Sequence, residues 1–135
     1  MKNLFKYVIL TLLAFSAFAA LSSTTVIYNE KKTNISVTKE QPEFTIQLKS
    51  NPTTGFSWFL REYDSELVKP LEHHFVKGNS RLIGSPGMEE WTFRISPQAF
   101  AVPHQTVIRF VYARPWEKVP QSTGVAFIVS TQTKE

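Results

Sequence analysis

The sequence predicts an all-β fold, an antiparallel β-sandwich of seven or eight short strands. Three observations predict it. Beyond residue 20 the apolar residues recur with period two, and no stretch holds a helical period. The alternating runs are short and are separated by Pro, Gly, Asn and Ser, which punctuate strands. The composition is that of a packed domain, 42% hydrophobic and 13% aromatic, which excludes a disordered chain.

Two brief runs come first, over 25–28 and 34–38. Phe44, Ile46 and Leu48 then alternate with Thr45, Gln47 and Lys49. Phe56, Trp58 and Leu60 point one way, Ser57 and Arg61 the other. A weaker run covers 71–76. Trp91, Phe93 and Ile95 alternate with Thr92, Arg94 and Ser96; Ile108, Phe110 and Tyr112 with Val107, Arg109 and Val111; Val125, Phe127 and Val129 with Ala126, Ile128 and Ser130. Side chains two apart on a strand share a face, so the aromatic and branched sets are the expected core. Trp58 and Trp91 belong to it. Two breaks are long for hairpins, about 78–89 and 113–122, and long connections between good strands tend to carry function.

The first 19 residues read as a leader. Lys2 and Lys6 precede an uncharged apolar run from Tyr7 to Ala20, and Ala17-Phe18-Ala19 is a small-residue cleavage pattern. Together these read as a secretory signal peptide, cleaved after Ala19. Ser22, Ser23, Thr24 and Thr25 dilute the run, short of the roughly 20 apolar residues of a membrane span. Residues 20–135 then form one domain, exported to a periplasm or secreted, with no stable membrane anchor once the leader is gone. Removing Lys2 and Lys6 from the 15 basic residues leaves 13 against 11 acidic ones. That balance gives little pull on polyanions, and no basic stripe argues for nucleic acid. Cysteine is absent, which excludes disulfides, a thiolate metal site, a cysteine nucleophile and a lipid carried on Cys.

Three loops stand out. In Asn51-Pro52-Thr53-Thr54-Gly55, Pro52 fixes φ and extends Asn51, while Gly55 can take positive φ. A narrow turn presenting two hydroxyls should result. Gly84-Ser85-Pro86-Gly87 bounds a second loop with glycines; it lacks the length and lysine of a phosphate-binding loop. Arg114-Pro115-Trp116 opens a long polar loop, and an exposed Trp beside Arg is the composition of a binding hot spot. On the residues alone each loop also reads as a plain connection, with Trp116 folded over a sandwich edge and Arg114 solvated. Alternate connections of a sandwich emerge at the same end, so the three can form one surface.

Asn51-Pro52-Thr53-Thr54-Gly55-Phe56, a glycine loop some thirty residues on and Arg114-Pro115-Trp116 resemble, in order and spacing, the chagasin family of cysteine-peptidase inhibitors. The resemblance implies an immunoglobulin-like sandwich that acts as a monomer on papain-like cysteine peptidases. It implies that the first loop enters the peptidase cleft with Thr53 and Thr54 nearest the catalytic pair. It further implies that Trp116 makes the main apolar contact on one side and that the glycine loop flanks the other. The family favours Gly-x-Gly-Gly there; Pro86 replaces a glycine, removing an N–H and stiffening the loop.

Two rival readings compete. For an enzyme, no nucleophile-elbow signature accompanies the histidines, His73, His74 and His104, or the single Asp, Asp64. Glu89-Glu90 would face opposite sides of a strand, which suits neither glycosidase geometry nor a shared proton. His73-His74 has the same defect as a metal pair and reads as a solvated loop pair. No metal and no cofactor is expected. The other rival is a non-catalytic extracytoplasmic binding module, of carbohydrate or adhesin type, for which Trp116 is the one Trp left free by the core.

Overall fold

A strand that is apolar on one face needs a second layer to cover it. The computed structural model, which describes residues 24–118 and 123–133, supplies that layer with two four-stranded sheets. The strands are β1 (Val26–Tyr28), β2 (Asn34–Thr38), β3 (Glu43–Ser50), β4 (Ser57–Glu62), β5 (Val68–Val76), β6 (Gly87–Ile95), β7 (Gln105–Ala113) and β8 (Thr123–Gln132). One sheet has the order β1-β3-β6-β5 and the other β2-β8-β7-β4. The helical elements among the described residues are two short 3-10 turns, Pro52–Thr54 and Pro97–Phe100. The expected leader, 1–19, lies outside the described residues.

The expected alternation governs the core. Phe44, Ile46, Leu48, Phe93, Ile108, Phe110, Phe127 and Val129 are all fully buried, and Trp58 is buried with them. Trp91 is only partly buried and packs against this cluster. Phe110 is the hub of the aromatic packing. Its ring meets Trp91, Phe93 and Phe127 edge-on at centroid distances of 5.3, 6.1 and 6.0 Å, the geometry aromatic pairs prefer. Trp91 and Phe93 lie in one sheet, Phe110 and Phe127 in the other, so the contacts of Phe110 with Trp91 and Phe93 join the layers.

Three features depart from the expectation. First, the sandwich is not wholly antiparallel: β1 pairs parallel with β3, and β2 parallel with β8. A tight turn, closed by Lys32 N–H donating to the Asn29 carbonyl at 2.9 Å, carries the chain from one sheet to the other. Both short strands therefore join as edges, and alternation carries no information on strand direction. Second, β6 starts at Gly87, so 87–89 is strand where a loop was expected. Two consecutive glutamates hide the strand, and each has partners described below. Third, His73 and His74 lie in β5 instead of a loop. They face opposite sides: His73 stacks on Trp91 at 3.9 Å between centroids, and His74 Nε2 lies 3.1 Å from a Glu90 carboxylate oxygen. β5 is an edge strand with Val68 its one buried residue, and its ladder slips beside Pro70, as expected of a proline at a sheet edge.

Truncating the hub tests this account of the core. Phe110→Ala is expected to lower the unfolding free energy by about 3–5 kcal/mol, read from the urea midpoint at unchanged slope.

Candidate functional site

The β3–β4, β5–β6 and β7–β8 connections emerge at one end of the sandwich. Antiparallel pairing puts the end of β3 beside the start of β6 (Ser50 opposite Gly87) and the start of β4 beside the end of β7 (Ser57 opposite Ala113). The three loops singled out in the sequence are these connections, and side chains join them.

Residues 51–55 are a rigid turn. Asn51 is extended (φ −130°, ψ 87°), Pro52–Thr54 make a single 3-10 turn, and Gly55 closes it at φ +79°. Pro52 suits its place because the first residue of such a turn has no internal acceptor for an N–H. Gly55 N–H donates to the Pro52 carbonyl at 3.0 Å and Thr54 N–H to the Asn51 carbonyl at 3.2 Å. The threonine hydroxyls turn inward as donors. Thr53 Oγ1 donates to Asn51 Oδ1 at 2.6 Å, and Thr54 Oγ1 to the Asn51 carbonyl at 2.7 Å. Thr53 and Thr54 are nonetheless exposed and form the crest of this end.

Asn51 is where the loops connect. Its backbone N–H donates to Tyr112 Oη at 3.0 Å, and its side-chain amide to the Gly84 carbonyl at 3.2 Å. Gly84 has φ +82°, and a Cβ there would stand 3.6 Å from Thr53 Oγ1, so the second loop lies directly against the first. Ser85 Oγ donates back to the Leu82 carbonyl at 2.7 Å. Gly84, Ser85 and Pro86 are at the surface. Gly87 is different: it is buried as the first residue of β6, where a Cβ would collide with the Val76 carbonyl oxygen. Leu82 and Ile83, at the tip of this loop, are 74% and fully exposed. The sequence reading did not select them, though two adjacent apolar residues in a polar loop were a usable signal.

The third loop closes on the first from the other side. Arg114 Nε donates to the Thr54 carbonyl at 3.0 Å, and Arg114 Nη1 lies 3.0 Å from Glu117 Oε1. The guanidinium sits 4.4 Å above the Phe56 ring, which stacks on Tyr112 at 5.2 Å. Arg114 is thus held and not freely solvated. Trp116 is 71% exposed, yet its indole touches the turn: a Cβ on Gly55 would lie 2.8 Å from Cη2. Residue 55 must be Gly both for its φ and for that approach. Residues 119–122 of this loop lie outside the described residues.

Beneath the turn lies Glu89, which the sequence offered only as half of an unsuitable carboxylate pair. Glu89 is only 5% exposed. Its Oε1 accepts from Ser50 Oγ at 2.6 Å and from Trp58 N–H at 3.2 Å, while Oε2 lies 2.9 Å from His73 Nε2. Glu90 faces the other way, bonded to Gln47 Nε2, so the two carboxylates are opposed across the strand as expected. Trp58 Nε1 donates to the Lys49 carbonyl at 2.9 Å. Among the described residues, no three His, Asp or Glu side chains are grouped to hold a metal.

A β-sandwich that gathers its ordered loops at one pole is built like the immunoglobulin-like domains that recognise partners through such loops. The chain belongs to the chagasin family: residues 37–130 match the family described as Chagasin family peptidase inhibitor I42, a family of inhibitors and not of enzymes. It is 36% identical to Chagasin of Trypanosoma cruzi over 75 residues, 53% of this chain and 64% of that protein. The match thus spans just under two thirds of Chagasin's length. It is 28% identical to Amoebiasin-2 of Entamoeba histolytica over 116 residues, 84% of this chain and 86% of the relative. The fold is shared with a crystallised cysteine protease inhibitor from Entamoeba histolytica (TM-score 0.65, 22% identity, 80% of this chain and 96% of that one). It is also shared with Amebosin, solved in solution (TM-score 0.61, 22% identity, 80% and 98%).

The junction of the first and third loops has a direct test. Gly55→Ala meets both an unfavourable φ and the indole, and is expected to cost about 1–2 kcal/mol of stability. It should also shift the Trp116 indole N–H resonance and leave that of Trp58 in place.

Proposed function

We propose that this protein is a reversible inhibitor of papain-like cysteine peptidases that blocks the active-site cleft with the 51–55 turn. The observation that carries the reading is the union of three loops on one ridge, with Trp116 packed on Gly55 and Gly84 beside Thr53. A single narrow turn cannot supply the roughly 800 Å² per partner of a stable interface. Three joined loops can, and their internal bonding lowers the ordering cost of docking.

The same bonding explains how the turn would escape cleavage. A thiolate attacks a carbonyl presented in a near-attack geometry. Here the Asn51 and Pro52 carbonyls accept bonds within the turn and the Thr54 carbonyl accepts from Arg114. The backbone is coiled where a substrate would be extended. The cleft is filled by a coiled turn and not by an extended segment laid out for cleavage.

In this reading Asn51, Pro52, Thr53, Thr54, Gly55 and Phe56 form the wedge. Arg114, Pro115 and Trp116 pack beside the cleft, and Gly84, Ser85 and Pro86 flank the far side. Gly87 supports that flank from within the sheet. The leader at 1–19 would deliver the domain, as a monomer, to a periplasm or the medium. The carbohydrate-binding alternative is disfavoured because Trp58 is buried and Trp91 stacks on His73, leaving Trp116 alone as a sugar platform.

Titrating papain with the purified protein should abolish activity at equimolar ratio and leave the inhibitor's mass unchanged. Trp116→Ala is expected to weaken inhibition by about 2 kcal/mol or more. An unaltered inhibition constant removes Trp116 from the interface, and no inhibition by the unsubstituted protein overturns the reading.

A further inference from the structure

We propose that Glu89 is a positioning residue for the cleft-filling turn, setting its affinity by fixing both of its stems; the affinity part rests on the inhibitor reading above. The partners of the Glu89 carboxylate are Ser50, Trp58 and His73, outside residues 51–55. Glu89 acts through the neighbours of the turn. Ser50 immediately precedes Asn51 at the end of β3, and Trp58 is the second residue of β4. These strands belong to different sheets. One oxygen, Glu89 Oε1, accepts from both, at 2.6 Å from Ser50 Oγ and 3.2 Å from Trp58 N. The Trp58 indole N–H reinforces the link by donating to the Lys49 carbonyl.

The separation of the stems determines whether Asn51 can reach Tyr112 and Gly84 together. Removing the carboxylate strands a buried hydroxyl and a buried N–H, each of which must then move toward water or stay unpaired. Either response shifts a stem. The ridge then meets a partner with less of its order already in place. A purely structural role would weaken the whole domain evenly; a positioning role loosens the turn first.

Glu89→Ala, Glu89→Gln and Ser50→Ala are compared with Thr131→Val. Thr131 Oγ1 donates to the Ala99 carbonyl at 2.7 Å and accepts from the His104 N–H at 2.8 Å at the opposite pole, so that variant loses bonds of a similar kind far from the turn. Two quantities are read: the inhibition constant against papain, and hydrogen exchange of the Asn51 and Gly55 amides relative to those of Ile108 and Phe127. Glu89→Ala should raise the inhibition constant about tenfold to a hundredfold and speed exchange at Asn51 and Gly55 selectively. Glu89→Gln, which keeps an acceptor oxygen, should recover much of both. Thr131→Val should leave both near the starting values. Should Glu89→Ala fail to fold, Ser50→Ala reads the same effect at smaller size.

Turn exchange no faster in these variants than in Thr131→Val overturns the proposal, as does faster exchange with an unchanged inhibition constant. Failure of the unsubstituted protein to inhibit papain would sink the inhibitor reading instead, and the exchange measurement would still decide whether Glu89 holds the turn.

Discussion

A buried carboxylate is tolerated only where enough donors converge on it. In this protein that requirement and the order of the loop end are one constraint. Glu89 sits on the core-facing side of β6, and its acceptor positions are met by a hydroxyl from β3, a backbone N–H from β4 and a ring nitrogen from β5. No apolar residue could link these strands by directed bonds. The pole carrying the loops is therefore closed by a polar lock, whereas the middle of the sandwich is closed by rings meeting edge-on. Polar locks specify geometry more sharply than they add stability, and a pole that must present a fixed shape has more use for geometry.

Above the lock, order passes from loop to loop. Asn51 ties the first loop to the second through the Gly84 carbonyl and to β7 through Tyr112. Arg114 ties the third loop to the first through the Thr54 carbonyl and sits over Phe56. No residue of the Pro52–Thr54 turn is buried. Each loop supplies the partners that another lacks, so the end behaves as a single body. The two positive-φ glycines, Gly55 and Gly84, sit where neighbouring loops approach most closely.

Much of the fold was legible because alternation reports burial directly. Phe44, Ile46 and Leu48 read as inward residues, and all three are fully buried. The parallel pairing of β1 and β2 was not legible, because period two is the same whichever way a strand runs. The start of β6 was hidden for a different reason. Residues 87–89 fell inside the break expected at 78–89, and Glu89 is held in the strand by partners from β3, β4 and β5. At the site, the turn chemistry of Pro52 and Gly55 was readable from local rules. The attachment of Arg114 to Thr54, sixty residues away in sequence, was not, since no local rule concerns contacts of that range. Gly87 was grouped with the second loop because its neighbours suggested a turn; its burial beneath Val76 follows from sheet pairing alone.

The direction of the outer strands has one more effect. β1 runs parallel to β3, whose last residue abuts the pole carrying the three loops, so β1 sets out from the opposite pole. β8 runs antiparallel to β7 and finishes at that same distant pole. Anchoring the domain near Val26 or Gln132, to a bead, a surface or a fused neighbour, would therefore orient it like a lamp on a stalk, its three joined loops aimed away from the support.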